Sequence, residues 1–285
     1  MIKLDIGAAP LGAVPGLAVT LRVLFLGLLI LVMLIPLAMI GGLVTERQIR
    51  RMEVESGIAN LWGHEQIVGG PVLTVPYLVR AQTRASDGTV TEQESRRLAY
   101  FLPSRLDIDA DAATEPRYKS IYEVLVYGAE VTMTGRIDGA AFAEWNVAPA
   151  DILWNEATIA LGIADIAGIR QVGLEVDGRP VALNPGLPAT ALFAAGLQGR
   201  LPSTPGAAEA AREFKLRLSL KGSRELAFLP LGSETRIEMR SNWPHPNFTG
   251  AALPETRTIA GDGFRAGWTQ SYLARPNPRP GARAT

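Results

Sequence analysis

The chain has 285 residues, of which 47% are hydrophobic, so it is long enough to bury the core of one large domain or two small ones. Its 28 Lys and Arg residues balance 28 Asp and Glu residues, and this lack of excess positive charge argues against nucleic-acid binding. The chain has no cysteine, which excludes disulfides, thiolate catalysis and thiolate metal sites.

A long apolar run follows a short N-terminal segment, residues 1–21. Residues 23–45 include no charged side chain, and a helix of that length, at about 1.5 Å per residue, crosses a hydrocarbon core of about 30 Å. The alternative is a cleaved signal peptide, but its apolar region usually has only about 7–15 residues. The sequence therefore predicts an uncleaved transmembrane helix over residues 22–45, with the lipid bilayer as its partner.

Charges beside this helix leave its orientation open. Lys3 and Arg22 precede it, whereas Arg47, Arg50 and Arg51 follow it, and a difference of one cation does not decide which side is cytoplasmic.

The segment after the span has the pattern of an amphipathic helix. Apolar residues recur at helical spacing at Ile49, Met52, Ile58 and Leu61, and Gly69-Gly70-Pro71 is a typical terminator. The sequence predicts a juxtamembrane helix over residues 46–68.

The sequence pattern of residues 69–275 is typical of a β-rich domain. Short runs of β-favouring residues, several with period-two alternation, are separated by Gly, Pro, Asp and Asn. The predicted strands are VLTVPYLV, RLDIDADA, EVLVYGAEVTMTG, GIRQVGLEV, FKLRLSL, RELAFLPL, ETRIEMR and GFRAGWTQSYL. Asp177-Gly178 predicts a hairpin turn, and residues 185–205 a long connection.

The predicted fold class is mainly β, with one transmembrane helix before a sandwich-like domain. A sandwich and two β subdomains divided near residues 185–205 both fit, because one sequence does not give strand order. Residues 276–285 are expected to form a flexible or truncated tail.

Signatures of common enzymes are absent from the sequence. There is no GxSxG, Walker A or GxGxxG motif. His64-Glu65 begins an HExxH pattern, but Val68 occupies the position of the second histidine ligand. We therefore predict no catalytic residue, no cofactor-binding residue and no metal ligand.

The most distinctive local motif is SNWPHPNF, residues 241–248. Pro244 and Pro246 stiffen the backbone and hold the residues before them extended. We expect Trp243 and Phe248 to be hydrophobic anchors, with His245 projecting between them. The motif is a candidate for structural scaffold or for ligand contact.

A motif similar to this one occurs in a known protein family, and other segments of the chain resemble motifs of the same family in the same order. They include WGHEQ, GGPVLTVPY, an Asp-x-x-Gly-Ile pattern at residues 165–169, LAFLPLG, LPETR and GFRAGW. Over residues 20–275 the chain resembles the CreD family of bacterial inner-membrane proteins, which are linked to cell-envelope integrity. It departs from the family pattern at Ala167, where Arg is common, and at Asn247, where Ser is usual.

The resemblance implies a cytoplasmic N-terminus and a periplasmic domain that supports envelope integrity by binding or scaffolding. An envelope component or another membrane protein would be the partner. The alternatives are a periplasmic hydrolase of an envelope polymer or lipid, and the sensor half of a larger membrane assembly. Relatives continue into several C-terminal membrane helices, so we expect this chain to correspond to their N-terminal half, either as a cut piece or as a naturally short protein.

Overall fold

The structure, a computed structural model, describes residues 15–84, 90–119, 121–138, 142–145, 147–187, 192–201 and 210–274. The predicted tail, residues 276–285, lies outside these residues. The chain divides into two units, Met1–Glu55 and Ser56–Thr285.

One continuous helix, α1 (Pro15–Trp62), contains the predicted span. It is the one helix among the described residues that is long and apolar enough to cross a membrane. The prediction of a juxtamembrane helix reaching residue 68 is wrong at its end, because the helix stops at Trp62. Gly63 follows the helix with a φ of +145°, a backbone conformation that residues other than glycine rarely adopt. A strand then begins at Gln66.

The rest of the described chain is mainly β, as predicted. Its strands are β1 (Gln66–Arg84), β2 (Val90–Phe101), β3 (Arg105–Lys119), β4 (Tyr122–Ile137), β5 (Thr158–Ile163), β6 (Ile169–Val176), β7 (Arg179–Val181), β8 (Asn184–Pro185), β9 (Gly196–Arg200), β10 (Arg212–Ser223), β11 (Leu226–Leu229), β12 (Glu234–Ser241), β13 (Thr256–Ala260) and β14 (Gly263–Ser271).

The strands form two sheets. The first has six strands in the order β11-β1-β5-β9-β8, with β2 also paired to β1, and the second has eight in the order β13-β14-β12-β3-β4-β10-β6-β7. Pairing is antiparallel except between β1 and β11 and between β3 and β12. These two parallel pairs join segments that are far apart in sequence.

Both sheets contribute to a single hydrophobic core. In β3, Leu106, Ile108 and Ala110 are buried, while Asp107 and Asp109 alternate with them and face away, which is the period-two pattern of a half-buried strand. Side chains from β1 and β5 of the first sheet join the same cluster. The sheets therefore share one core, and the alternative of two separate β subdomains is wrong.

Every strand predicted from the sequence is present, and so is the hairpin turn. Asp177 and Gly178 both have positive φ, 50° and 71°, as a tight turn between β6 and β7 requires. The prediction of one long connection over residues 185–205 is wrong, because β9 lies within it. Strands β2, β5, β8 and β13 were not predicted either.

Gly69-Gly70-Pro71 has a different role from the predicted helix end. The pairing of β1 with β5 shifts register between Gly69 and Val72, where Gly70 has a φ of +106°. The three residues therefore form an irregularity within β1, at which its pairing with β5 changes register.

Candidate functional site

The predicted motif SNWPHPNF begins where β12 ends and is fastened to the neighbouring strand. Asn242 Oδ1 accepts hydrogen bonds from the backbone N–H and the hydroxyl of Thr114, at 2.7 and 2.8 Å. Its Nδ2 donates to the Thr114 carbonyl at 3.1 Å. The Asn242 side chain thus takes over the hydrogen bonding to β3 at the point where the backbone leaves the sheet. The loop therefore begins from a fixed position.

Trp243, which the sequence predicts to be a hydrophobic anchor, is only half-buried and does not reach the core. Its indole Nε1 donates to the carbonyl of His245 at 2.7 Å, and the two rings meet edge to face with centroids 5.9 Å apart. The indole therefore holds the loop's own backbone. It stays near the surface because the indole N–H satisfies a carbonyl inside the loop.

Phe248 anchors the other end of the motif. Its ring packs edge to face against Phe264 and Trp268 of β14, with centroid distances of 5.4 and 5.6 Å. Pro244 and Pro246 are half-buried and His245 is exposed, in the position expected for a side chain between two prolines.

Acid–base chemistry finds no support at this motif. Within the described residues, His245 makes no ion pair or hydrogen bond with a carboxylate, and no group of three or more His, Asp or Glu residues could hold a metal ion. His64, the other histidine, approaches Asn60 Oδ1 through Nε2 at 3.0 Å.

A second cluster brings together motifs that are distant in sequence, and we call it the joint. It consists of Trp62, Gln66, Tyr127, Asp165 and Lys221. The Trp62 indole N–H donates to the Tyr127 carbonyl at 3.1 Å. The Lys221 ammonium lies 4.2 Å from the centroid of the Trp62 ring, and the Arg117 guanidinium lies 4.6 Å from it. These contacts fix the last turn of α1 to β3, β4 and β10.

Gln66 is the fully buried centre of the joint. Its Nε2 donates to the carbonyls of Asp165 and Lys221, at 3.0 and 3.1 Å, while Oε1 has no hydrogen-bond partner among the described residues. The Asp165 carboxylate in turn accepts from the backbone N–H groups of His64 and Ala167. The segments WGHEQ and Asp-x-x-Gly-Ile therefore meet through a few specific hydrogen bonds.

Tyr127 completes the joint. Burial raises the pKa of its phenol well above the ordinary value, so the hydroxyl stays protonated, and it donates to the Glu225 carbonyl at 2.5 Å. A protonated phenol that already has an acceptor is a structural group. The joint therefore serves to connect the helix end to both sheets.

A groove of about 660 Å³ lies on the outer face of the first sheet. Strand register places Tyr100, Thr74, Thr158 and Arg200 in one row across β2, β1, β5 and β9. The next residues outward on β2 and β1 are Leu98 and Pro76. The groove is lined by Thr74, Pro76, Arg96, Leu98, Glu156, Thr158, Asn184, Gln198, Gly199 and Arg200.

Sequence reasoning missed this groove because most of its strands were not predicted. The segment TIALGI has β-favouring residues, but its alternation is hidden because both faces of β5 are covered. On the outer face, Phe193 lies so close to Gly162 that a Cβ there would be 2.5 Å from its ring. Burial on both sides removes the polar half of the period-two signal.

The described residues define a class: a chain in which one apolar helix, long enough to span a membrane, precedes a two-sheet β domain. Residues 18–284 match the family model described as "Inner membrane protein CreD". The chain belongs to this family, which confirms the resemblance noted in the sequence.

A curated relative is similar over most of the chain. The inner membrane protein CreD of Escherichia coli (strain K12) is 30% identical over 247 residues, which cover 86% of this chain and 54% of the relative. The chain thus spans about half the length of the curated relative that it matches. No solved structure matches the chain.

Proposed function

We propose that this protein supports the integrity of the cell envelope by binding an envelope component through its β domain. The N-terminus is cytoplasmic, α1 crosses the inner membrane and the β domain lies in the periplasm. Family membership and the apolar helix support an inner-membrane location. The orientation rests on the family resemblance, because the flanking charges are nearly balanced.

The observation that carries binding in preference to catalysis is the state of the charged groups in the groove. Its one carboxylate, Glu156, is paired with Arg96 at an N–O distance of 2.5 Å, and no histidine lines the groove. An enzyme acting by acid–base catalysis needs a group free to exchange protons, with a pKa near the working pH. The groove has the volume of a binding site for a small molecule, and its carboxylate is already occupied by an ion pair.

The hydrolase alternative depends on His245 meeting an acid in a concave site. His245 is exposed on a stiff loop and does not line the groove. A rigid exposed loop of this kind is suited to contact with a partner, so the motif remains a second candidate surface for binding. The role of sensor half of a larger assembly also begins with binding, and it differs from our proposal only in a later signalling step.

Photo-crosslinking in living bacteria tests this proposal. The full chain would carry p-benzoylphenylalanine at Gln198 in the groove, at His245 in the loop, or at Thr258 on the exposed edge strand β13 as a control. We expect light-dependent adducts from Gln198 or His245 and not from Thr258. Failure of both positions to give adducts above the control, with the protein folded and in the membrane, would contradict a binding role.

A further inference from the structure

The charge balance of the groove on the first sheet defines what it can bind. Arg96 is neutralised by Glu156. The Arg200 side chain is exposed, and its guanidinium forms no ion pair or hydrogen bond with any of the residues that the structure describes. The charged side chains lining the groove therefore sum to one positive charge. A ligand with a single negative charge would complement it, and a guanidinium can bind a carboxylate or a phosphate through two parallel hydrogen bonds.

The remainder of the groove is suited to a hydrocarbon chain. Pro76 is buried and Leu98 half-buried, and both line the groove together with Thr74 and Thr158, whose side chains each include a methyl group. A narrow apolar cleft continues from the groove and shares Thr74, Thr158 and Gln198 with it. The cleft is lined further by Val72, Tyr100, Ala160, Leu192 and Phe193.

Phe193 packs directly on the outer face of the first sheet and forms one wall of this apolar cleft. Its ring occupies a notch that exists because Gly69 and Gly162 have no side chains, since a Cβ on either would lie within 3 Å of the ring. Val72 and Ala160 are buried under this cover although they face away from the main core. The outer face of the first sheet thus has an apolar region beside a cation that no described residue neutralises.

We propose that the groove binds an amphiphile consisting of an acyl chain with one anionic headgroup, either a carboxylate or a phosphate. This inference rests on the binding role proposed above and specifies its ligand class. The anionic headgroup pairs with the guanidinium of Arg200 and accepts further hydrogen bonds from the side chains of Asn184 and Gln198. The acyl chain lies over Pro76 and Leu98. No aromatic ring lines the groove, so the stacking platform typical of sugar binding is absent among its lining residues. A volume of about 660 Å³ also far exceeds that of a small inorganic anion.

Photolabelling of the full chain in nanodiscs of zwitterionic phosphatidylcholine tests the proposal. The probe is a diazirine analogue of dodecanoate, and mass spectrometry locates the labelled peptides. We expect labelling of β1, β2, β5 or β9, with competition by dodecanoate or dodecyl phosphate and not by dodecanol. The stronger competitor of the two anions identifies the headgroup chemistry.

Three substitutions give the test its resolution. Arg200→Gln should reduce labelling of the groove peptides about tenfold, as expected for loss of a charge-assisted contact. Arg200→Lys should retain part of it. Arg170→Gln is the matched control, because Arg170 is an exposed arginine on β6 of the other sheet with no ion pair among the described residues. Thermal unfolding of each variant shows whether the fold is intact.

Labelling confined to α1, equal competition by dodecanol, or equal loss in the Arg200→Gln and Arg170→Gln variants would overturn the proposal. Its failure can be separated from that of the binding role. If cellular crosslinking from Gln198 captures a partner while the amphiphile does not label the groove, binding stands and this ligand class falls. If neither experiment gives a product at the groove or the loop, both fall.

Discussion

Replacement of Gln66 by leucine tests whether the joint is a structural brace. The substitution nearly preserves side-chain volume but removes the two hydrogen bonds from Nε2 to the carbonyls of Asp165 and Lys221, which are 3.0 and 3.1 Å long. Each such bond contributes about 0.5–1.5 kcal/mol, and more where the buried acceptor is left unpaired. Removal of Oε1, which has no described partner, offsets part of the loss.

We therefore expect Gln66→Leu to lower the free energy of unfolding by about 2–4 kcal/mol, or the melting temperature by about 4–16 °C for a domain of this size. The measurement is denaturant unfolding of the full chain in nanodiscs, followed by tryptophan fluorescence. Gln171→Leu is the matched control, since Gln171 is an exposed glutamine on β6 and its replacement should change stability by less than about 0.5 kcal/mol. Equal effects of the two substitutions would refute the structural role assigned to the Gln66 amide.

Other predictions concern the loop, the domain boundary and the topology. Trp243→Ala should cost about 1–2 kcal/mol, below the value of about 3–5 for a buried tryptophan because this indole is half-buried, and His245→Ala should cost less than about 0.5 kcal/mol in the same unfolding assay. If His245→Ala keeps full stability yet fails to replace the wild type under envelope stress, the loop is a functional site and not only scaffold. A soluble fragment that starts at Ser56 should unfold cooperatively in calorimetry. A fragment that starts at Gly70 should be less stable by about 5 kcal/mol or more, because it lacks the buried residues Ile58, Gln66 and Val68. Equal stability of the two fragments would contradict the stabilising role assigned to the joint. A cysteine at Thr258, exposed on β13, should react with an impermeant maleimide in intact spheroplasts, and reaction only after lysis would place the domain in the cytoplasm.

Local patterns determined the anchor and most of the strands. The uncharged stretch at residues 23–45 predicts a spanning helix because its length and composition suffice. Likewise, alternation in β3 and β10 predicts half-buried strands, since one face of each strand enters the core and the other meets solvent. The turn at Asp177-Gly178 was also predicted, because its residue types tolerate positive φ. In all three cases the signal lies within one continuous stretch of the sequence.

Tertiary structure alone decided how these elements assemble and where ligand-sized space lies. The parallel pairs of β1 with β11 and of β3 with β12 depend on contacts between distant segments, for which local periodicity has no signal. The end of α1 is likewise fixed by Trp62 meeting Tyr127, Arg117 and Lys221, which come from three other strands. The groove exists because the register of β1, β5 and β9 aligns Thr74, Thr158 and Arg200, while Phe193 folds over the glycines beside them. Such a site depends on the packing of side chains from separate strands, and a sequence read one segment at a time does not include that information.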